Sequence, residues 1–407
     1  MTLKGKNIIM LGITKFDSPI ESTNYTVARH LAKDNRVFYI DNPYTWKDCI
    51  SNRKTSGFRK RKDYFSFKPV DMLDTDTPNL KIVITPPLMS INWIPEGKMY
   101  RSMLNINEAI ILHRIKQVMS KYDITDFIYI NSFNFYYPGI AKKLSPELAI
   151  YHCVDPLAFN YEKKHGLISE QKIVSESDLI ICTSKQLYEE KKQINKNTFF
   201  IPNAADIAHS SKALQQDVEV HKTLERIKGP IVGYFGNIER RIDYDLIKAL
   251  VEANKDKSFV FAGPIIEEHV PGWMFETPNV HLTGAVPYSE MPSVLKGFDV
   301  SIIPFKKDEF SATIFPLKLF EYLGAGNPVV ATDFNPDLQE YTAGAVTYCT
   351  DASTFSEAIN AALMQQDDET RKHRLAVAGQ NTWEIRVEEL SKLINRYLRK
   401  EHRMETA

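Results

Sequence analysis

Short apolar runs alternate along this chain with longer stretches in which apolar residues recur every three to four positions. The first run, NIIMLG (7–12), ends in glycine and predicts a buried parallel strand followed by a loop. A helical stretch at 23–33 comes next, then strands at VFYI (37–40), LKIVIT (80–85), FIYIN (127–131), LAIYHCV (148–154), LIICTS (179–184) and TFFIP (198–202). Helical spacing fills the gaps at 105–121 and 169–177. Strand–helix alternation of this kind predicts a doubly wound parallel sheet.

The pattern pauses over 203–229, which is polar and holds no apolar strand run, and restarts at PIVGYFG (230–236). Strands follow at SFVFAG (258–263), VHLTG (280–284), VSIIP (300–304), PVVAT (328–332) and AVTYC (345–349), with helices at 244–254, 289–296 and 318–323. The predicted organisation is an α/β protein of two Rossmann-like domains, 1–205 and 230–381, joined by a linker at 206–229. Folds of this kind place ligands at the carboxyl ends of the strands, and so in the cleft between the domains. The last segment, 382–407, has apolar residues at helical spacing from Trp383 to Leu398 with a charged opposite face. It predicts a helix that either crosses back to the first domain or packs on its own.

Composition narrows the function classes. The chain has 407 residues, with Lys+Arg and Asp+Glu both at 51, so it lacks the basic excess of a protein held on nucleic acid by phosphate contacts. Aromatic residues make up 11%, too many for a disordered chain. Cys49, Cys153, Cys182 and Cys349 form no CxxC pair, which argues against a zinc ribbon or a disulfide framework and for a reducing, cytoplasmic setting. No signal peptide and no transmembrane run is expected.

Two segments carry candidate chemistry. In FPLKLFEYLGAGNPVVAT (315–332), Pro316 suits the first turn of a helix, where its missing N–H costs nothing. The open N–H groups of that turn, at Leu317 and Lys318, and the helix dipole form an anion site, and the Lys318 side chain adds a full charge. Glu321, about one turn on, is placed to reach ribose hydroxyls. In GYFGNIERRIDYDLI (233–247), Gly236 lets the backbone approach a ligand at Asn237, and Arg240 and Arg241 suit phosphate oxygens. The plainer readings are a structural Pro-started helix and a solvated Arg pair, with Asp243 as an N-cap.

With FVFAGP and NVHLTGAVPYSEMPSVLKGFDVSIIPF between them, these segments resemble the donor-binding domain of GT-B glycosyltransferases over 233–332. The resemblance is to the branch containing teichuronic-acid and other bacterial surface-polysaccharide transferases, and more distantly to the xanthan glucuronosyltransferase. YHCVDPL (151–157), DLIICTSKQLYEEK (178–191) and IPNAAD (201–206) agree more loosely. The resemblance implies a nucleoside diphosphate sugar, probably with UDP as the nucleotide, bound to the second domain. Pyrophosphate would lie at Arg240, Arg241 and the Pro316 helix, ribose at Glu321, and the base near Gly263–Pro264 and Ala285–Val286. The first domain would bind the acceptor, a lipid-linked or growing cell-surface glycan, and supply the base.

Many retaining members carry a glutamate eight positions before the one matching Glu321; here that position is Thr313, which favours inversion. Inversion needs one carboxylate to take the acceptor proton. Asp155, after the strand AIYHCV, is the first candidate, with an Asp–Pro turn as the alternative. Asp17, in the loop after the first strand, is the second. Asn131, Ser132 and Asn134 end another first-domain strand and are candidates to line the acceptor side, while His152 reads as a core histidine. No metal or cofactor is expected, since DTD (74–76) and DYD (243–245) lie in the wrong contexts for a metal-binding DxD. The other readings are a UDP-sugar hydrolase or epimerase of the same fold, and a sugar-nucleotide-binding protein without catalysis. The basic and aromatic segments 53–69 and 86–104 favour peripheral contact with an anionic membrane surface.

Overall fold

The computed structural model describes residues 2–18, 22–157, 160–365 and 367–405. The chain divides into two compact units, Met1–Pro202 with Val387–Ala407, and Asn203–Arg386.

The first unit is built on an eight-stranded sheet. Its strands are β1 (Asn7–Gly12), β2 (Arg36–Ile40), β3 (Leu73–Asp74), β4 (Leu80–Val83), β5 (Ile128–Ser132), β6 (Leu148–Cys153), β7 (Leu179–Cys182) and β8 (Thr198–Phe200). They run in the order β3-β4-β2-β1-β5-β6-β7-β8, parallel except for β3 against β4. Strands β1, β5 and β6 are buried along almost their whole length, which is why they read as unbroken apolar runs rather than alternating ones. Helices cover both faces. Ile9, Leu11, Phe38 and Ile111 belong to one buried cluster, and Tyr151, Cys153, Val174 and Leu187 to a second one on the same face of the sheet.

The second unit holds a six-stranded parallel sheet: β9 (Ile231–Phe235), β10 (Ser258–Ala262), β11 (Val280–Gly284), β12 (Val300–Ile303), β13 (Val329–Thr332) and β14 (Val346–Cys349). The order is β11-β10-β9-β12-β13-β14. The order therefore reverses on either side of β9, and it is at such a reversal that doubly wound sheets leave room for a ligand beyond the strand ends. The helix Leu317–Gly324 buries Leu319, Phe320, Tyr322 and Leu323 completely. At about 1.5–3 kcal/mol for each large apolar side chain, that burial rather than intrinsic propensity fixes the helix in place.

The strands read from the sequence are all present, each within two residues at its ends. The added strand, β3, is a two-residue antiparallel edge too short to show a period. Two helices begin earlier than their apolar spacing suggests, at Lys98 and at Asn160. Residues 206–229, read as a linker, are counted in the second unit. They open with the helix Ile207–Ser210, capped by Asp206 on the His209 N–H, and they give Ala213 and Leu224 to the core. The final helix, Trp383–Glu405, starts in the second unit and from Val387 on is counted with the first. There the Tyr397 ring meets Phe199 edge-on at 5.9 Å and its hydroxyl donates to Asn197 Oδ1 at 3.0 Å.

Candidate functional site

The carboxyl edge of the second sheet is sewn together by backbone hydrogen bonds between its loops. Gly236 N–H bonds the carbonyl of Ala262, Ile238 N–H that of Pro264, and Gly263 N–H that of Gly284. On the other side Asp243 N–H bonds Pro304 O and Lys306 N–H bonds Arg241 O. The segment that carries Asn237, Arg240 and Arg241 is therefore held on both flanks and is not a loose surface loop. Two glycines make this possible. Gly236 has φ +141° and Gly263 φ +150°; a Cβ on Gly263 would run into the Gly236 carbonyl, and one on Gly236 into the Lys318 amine.

The helix Leu317–Gly324 points its start at this edge. Pro316 is its N-cap rather than its first helical residue, and no side chain caps the turn. The opening N–H groups of such a turn, at Leu317 and Lys318, have no intrahelical partner and carry the positive end of the helix dipole. Tyr322, on the same helix, accepts a hydrogen bond from Phe235 N–H at 2.7 Å and donates to the Phe235 carbonyl at 3.2 Å. The helix start is thereby locked to the end of β9.

Three cations gather here. The Lys318 amine donates to the Tyr234 hydroxyl at 2.6 Å and lies 3.9 Å from the Tyr234 ring centre. Tyr234 in turn donates to the Asn237 carbonyl at 3.0 Å. Burial, reinforced by repulsion from Arg241, pulls the Lys318 amine down to about 7. The Arg241 guanidinium is paired with Glu239 and sits 5.7 Å from the Phe305 ring centre, while that of Arg240 stacks over Phe310 at 4.5 Å. Both arginines are half-buried. A half-buried group of cations, one of them a lysine that burial holds near neutrality, is a setting that an anion would favour by restoring that charge.

One turn along the helix, Glu321 is buried and accepts a hydrogen bond from the Tyr288 hydroxyl at 2.7 Å. Pro264 and Val286 are half-buried in the loops after β10 and β11, and Gly263 is buried. The structure thus brings Gly236, Asn237, Arg240, Arg241, Gly263, Pro264, Pro316, Leu317, Lys318 and Glu321 to one edge of one unit. Thr313 is buried with its hydroxyl bonded to the Phe310 carbonyl at 2.7 Å, so no acid stands there. Asp243 caps the following helix through Leu246 N–H at 3.0 Å.

The first-unit candidates separate. Asp155 is exposed just beyond β6. Asp17 does not have the setting expected of a base: Arg61 grips both its oxygens, at 3.0 and 2.5 Å, and Lys60 lies 3.4 Å away. Burial works to raise its carboxyl pKa, but the hydrogen bonds and charge of Arg61 and then Lys60 outweigh it, and the group sits below the usual range. Asp41 holds the other edge of the same buried guanidinium at 2.7 Å. Asn131 and Ser132 end β5, and Asn134 stands just beyond it. All are buried and bonded inward: Asn131 Oδ1 accepts from Asn134 N–H, Asn134 Nδ2 donates to Gly12 O, and Ser132 Oγ meets Asn24 Nδ2 and His152 Nδ1. Buried polar groups seek such partners, but Asn134 Oδ1 has none among the described residues. His152 is buried and pulled down to about 4 by that burial, which fits a neutral core histidine.

Residues 229–365 match the family model "Glycosyl transferases group 1". The second unit carries a group 1 glycosyltransferase domain. The chain is also 26% identical over 269 residues to the teichuronic acid biosynthesis glycosyltransferase TuaH of Bacillus subtilis (strain 168). That match spans 61% of this chain and 66% of the relative. Among solved structures, it is similar to sucrose-phosphate synthase from Thermosynechococcus elongatus, with TM-score 0.65 and 14% identity over 96% of this chain and 98% of that one. Anabaena HepE in complex with UDP matches with TM-score 0.61 and 12% identity over 96% of this chain and 100% of that one. These likenesses show the GT-B fold, and the resemblance read from the motifs holds.

Sequence reasoning passed over the aromatic residues that build the glycosyltransferase domain's anion site. Tyr234 and Tyr322 stand inside the very motifs it used, GYFG and EYLG, and Tyr288 lies in VPYSEM. An aromatic hydroxyl just before a ligand-approaching glycine was the available signal.

Proposed function

We propose that the chain transfers a sugar from a nucleoside diphosphate sugar, a UDP-sugar, to a hydroxyl of a lipid-linked or growing cell-surface glycan, without a metal and with inversion. The observation that carries this reading is the meeting of Arg240, Arg241 and Lys318 with the start of the helix Leu317–Gly324. HepE, of the same fold, is solved with UDP and with UDP-glucose, which supports UDP as the nucleotide. The relative's part in teichuronic acid biosynthesis supports a surface glycan as acceptor.

In this reaction the acceptor oxygen attacks the anomeric carbon while Asp155 takes its proton. The bond from that carbon to the diphosphate oxygen breaks, and UDP leaves with the electron pair. The charge that develops on the diphosphate falls to the helix dipole and the three cations, which do the work a metal ion does elsewhere. Glu321, steadied by Tyr288, takes the ribose hydroxyls. Thr313 in place of an acid supports inversion.

The test is a thermal-shift screen with UDP-, GDP-, ADP- and CMP-sugars, since a ligand that binds only the folded chain raises its melting temperature. A rise with UDP-sugars that Arg241→Ala removes supports the proposal. No rise with any of the four overturns it. Donor breakdown at full rate with no acceptor and no glycan product would move the reading to a hydrolase. Transfer that survives EDTA but gives a retained anomer would overturn the inverting step alone.

A further inference from the structure

The first unit displays an apolar face that its own core does not use. Trp46 is 57% exposed, Ile50 78%, Trp93 74% and Met99 58%. Leu167 and Ile168 are also exposed. The chain has four tryptophans, and the two outside this face, Trp273 and Trp383, are half-buried and buried.

These side chains stand on elements tied to one another. Trp46 and Ile50 share one side of the helix Trp46–Ser51, being four residues apart. Trp46 N–H bonds the Leu88 carbonyl at 2.9 Å, and Lys47 N–H bonds Ser90 Oγ at 3.2 Å. The indole of Trp93 donates to the Ser90 carbonyl at 2.9 Å. Lys164 donates to the carbonyl of Asn92 at 2.9 Å and to that of Trp93 at 3.3 Å, about one turn from Leu167 and Ile168. Tyr100, next to Met99, stacks on His165 at 3.6 Å.

The charges around the face have one open sign. Lys47, Arg53, Lys54, Lys98 and Lys163 are exposed. The acids among them are engaged locally: Asp48 accepts from the backbone and side chain of Thr45, and Glu96 is held by Arg101 and His165. By contrast the segment 53–69 spends much of its chemistry inward, with Arg61 buried and Phe65 packed between Tyr44 and Phe58.

We propose that this face docks on the surface of an anionic lipid bilayer. Tryptophan rings sit at the headgroup level, apolar side chains enter the acyl boundary beside them, and Lys and Arg meet the lipid phosphates. A second copy of the chain would also cover apolar surface. A two-fold contact, however, would set this basic rim against itself, and like charges across an interface oppose binding. The docking surface does not depend on the donor reading: it lies in the other unit, and vesicle binding and nucleotide binding can succeed or fail separately.

The experiment is co-sedimentation of the full chain with vesicles of phosphatidylcholine alone and with an equal part of phosphatidylglycerol, read together with tryptophan emission. Binding to the anionic vesicles, a blue shift of emission, and loss of binding as salt screens the charges are expected. The double variant Trp46→Ser, Trp93→Ser should bind about tenfold more weakly or worse, with unchanged circular dichroism and melting temperature as the check on folding. Should it misfold, Lys47→Glu with Lys98→Glu reads the same face through its charge. Absence of vesicle binding by the unaltered chain, or variants that bind as tightly as it does, would overturn the proposal. So would a dimer in solution that the double variant turns into a monomer, which would give the face to a second copy.

Discussion

The amine of Lys318 lies 2.6 Å from the hydroxyl of Tyr234 and over the face of its ring. A lysine held this way is solvated by one phenol and one π-cloud in place of water, and a ligand phosphate would complete its shell.

The first prediction is a pH dependence with a definite sign. In the unliganded chain Lys318 is lowered from 10.5 to about 7, so between those values the folded state binds fewer protons than the unfolded one. Stability should therefore rise with pH across that window. UDP favours the charged amine, so the melting shift UDP produces should shrink as pH rises above about 7. Lys318→Met should flatten both trends, raise the melting temperature of the unliganded chain and weaken UDP binding by at least about tenfold. Differential scanning fluorimetry across pH checks all four.

Tyr288→Phe removes the hydroxyl that donates to Glu321. A hydrogen bond to a charged group is worth about 1.5–3 kcal/mol, so UDP should bind about 10- to 100-fold more weakly. The discriminating measurement is calorimetry with UDP and 2′-deoxy-UDP, where the preference for the ribose form should narrow in the variant.

The two aspartates of the first unit should part company. Asp155→Asn should lower the transfer rate by about 10²–10⁴-fold while leaving donor affinity in place, as loss of a general base does. Asp17→Asn should instead lower stability, by about 1–3 kcal/mol, because Arg61 loses one of its two carboxylates. The Asp17 carboxyl is depressed in the fold, so its contribution is present above the unfolded value of 3.8 and disappears as pH falls through the folded one. Initial rates and urea denaturation at pH 7 and pH 3 distinguish the pair.

Gly263→Ala should abolish donor binding with little change to the rest of the unit. The added methyl meets the Gly236 carbonyl, a backbone atom that can yield only if the loops after β9 and β10 separate. The strained φ adds about 1–3 kcal/mol. UDP titration of a variant with unchanged circular dichroism is the check.

Strands such as β1 and β9 were legible because a fully buried parallel strand leaves an unbroken apolar run between turn residues. The donor-side residues were legible as a spacing: Gly236, the Arg pair, Lys318 and Glu321 announce themselves by residue type. The first-unit residues were less so. Asn131, Ser132 and Asn134 are polar residues at a strand end whether they face a ligand or a carbonyl, and only the partners of their side chains tell which. Asp17 was opaque for a similar reason, since its partner Arg61 lies 44 positions away. Of the docking face, Trp93 and Met99 fall in the segment 86–104 that the sequence singled out, whereas Trp46, Ile50 and Leu167 lie outside it and only the folded chain ties their elements to it.

Tyr322 grips both backbone polar groups of Phe235, its N–H and its carbonyl, and this has an evolutionary corollary. Helix and strand tip behave as a single casting, so drift in one is inherited by the other. New sugar preferences in such a chain are then to be sought in side chains hung on the casting, since a change in its mould would forfeit the diphosphate along with the sugar.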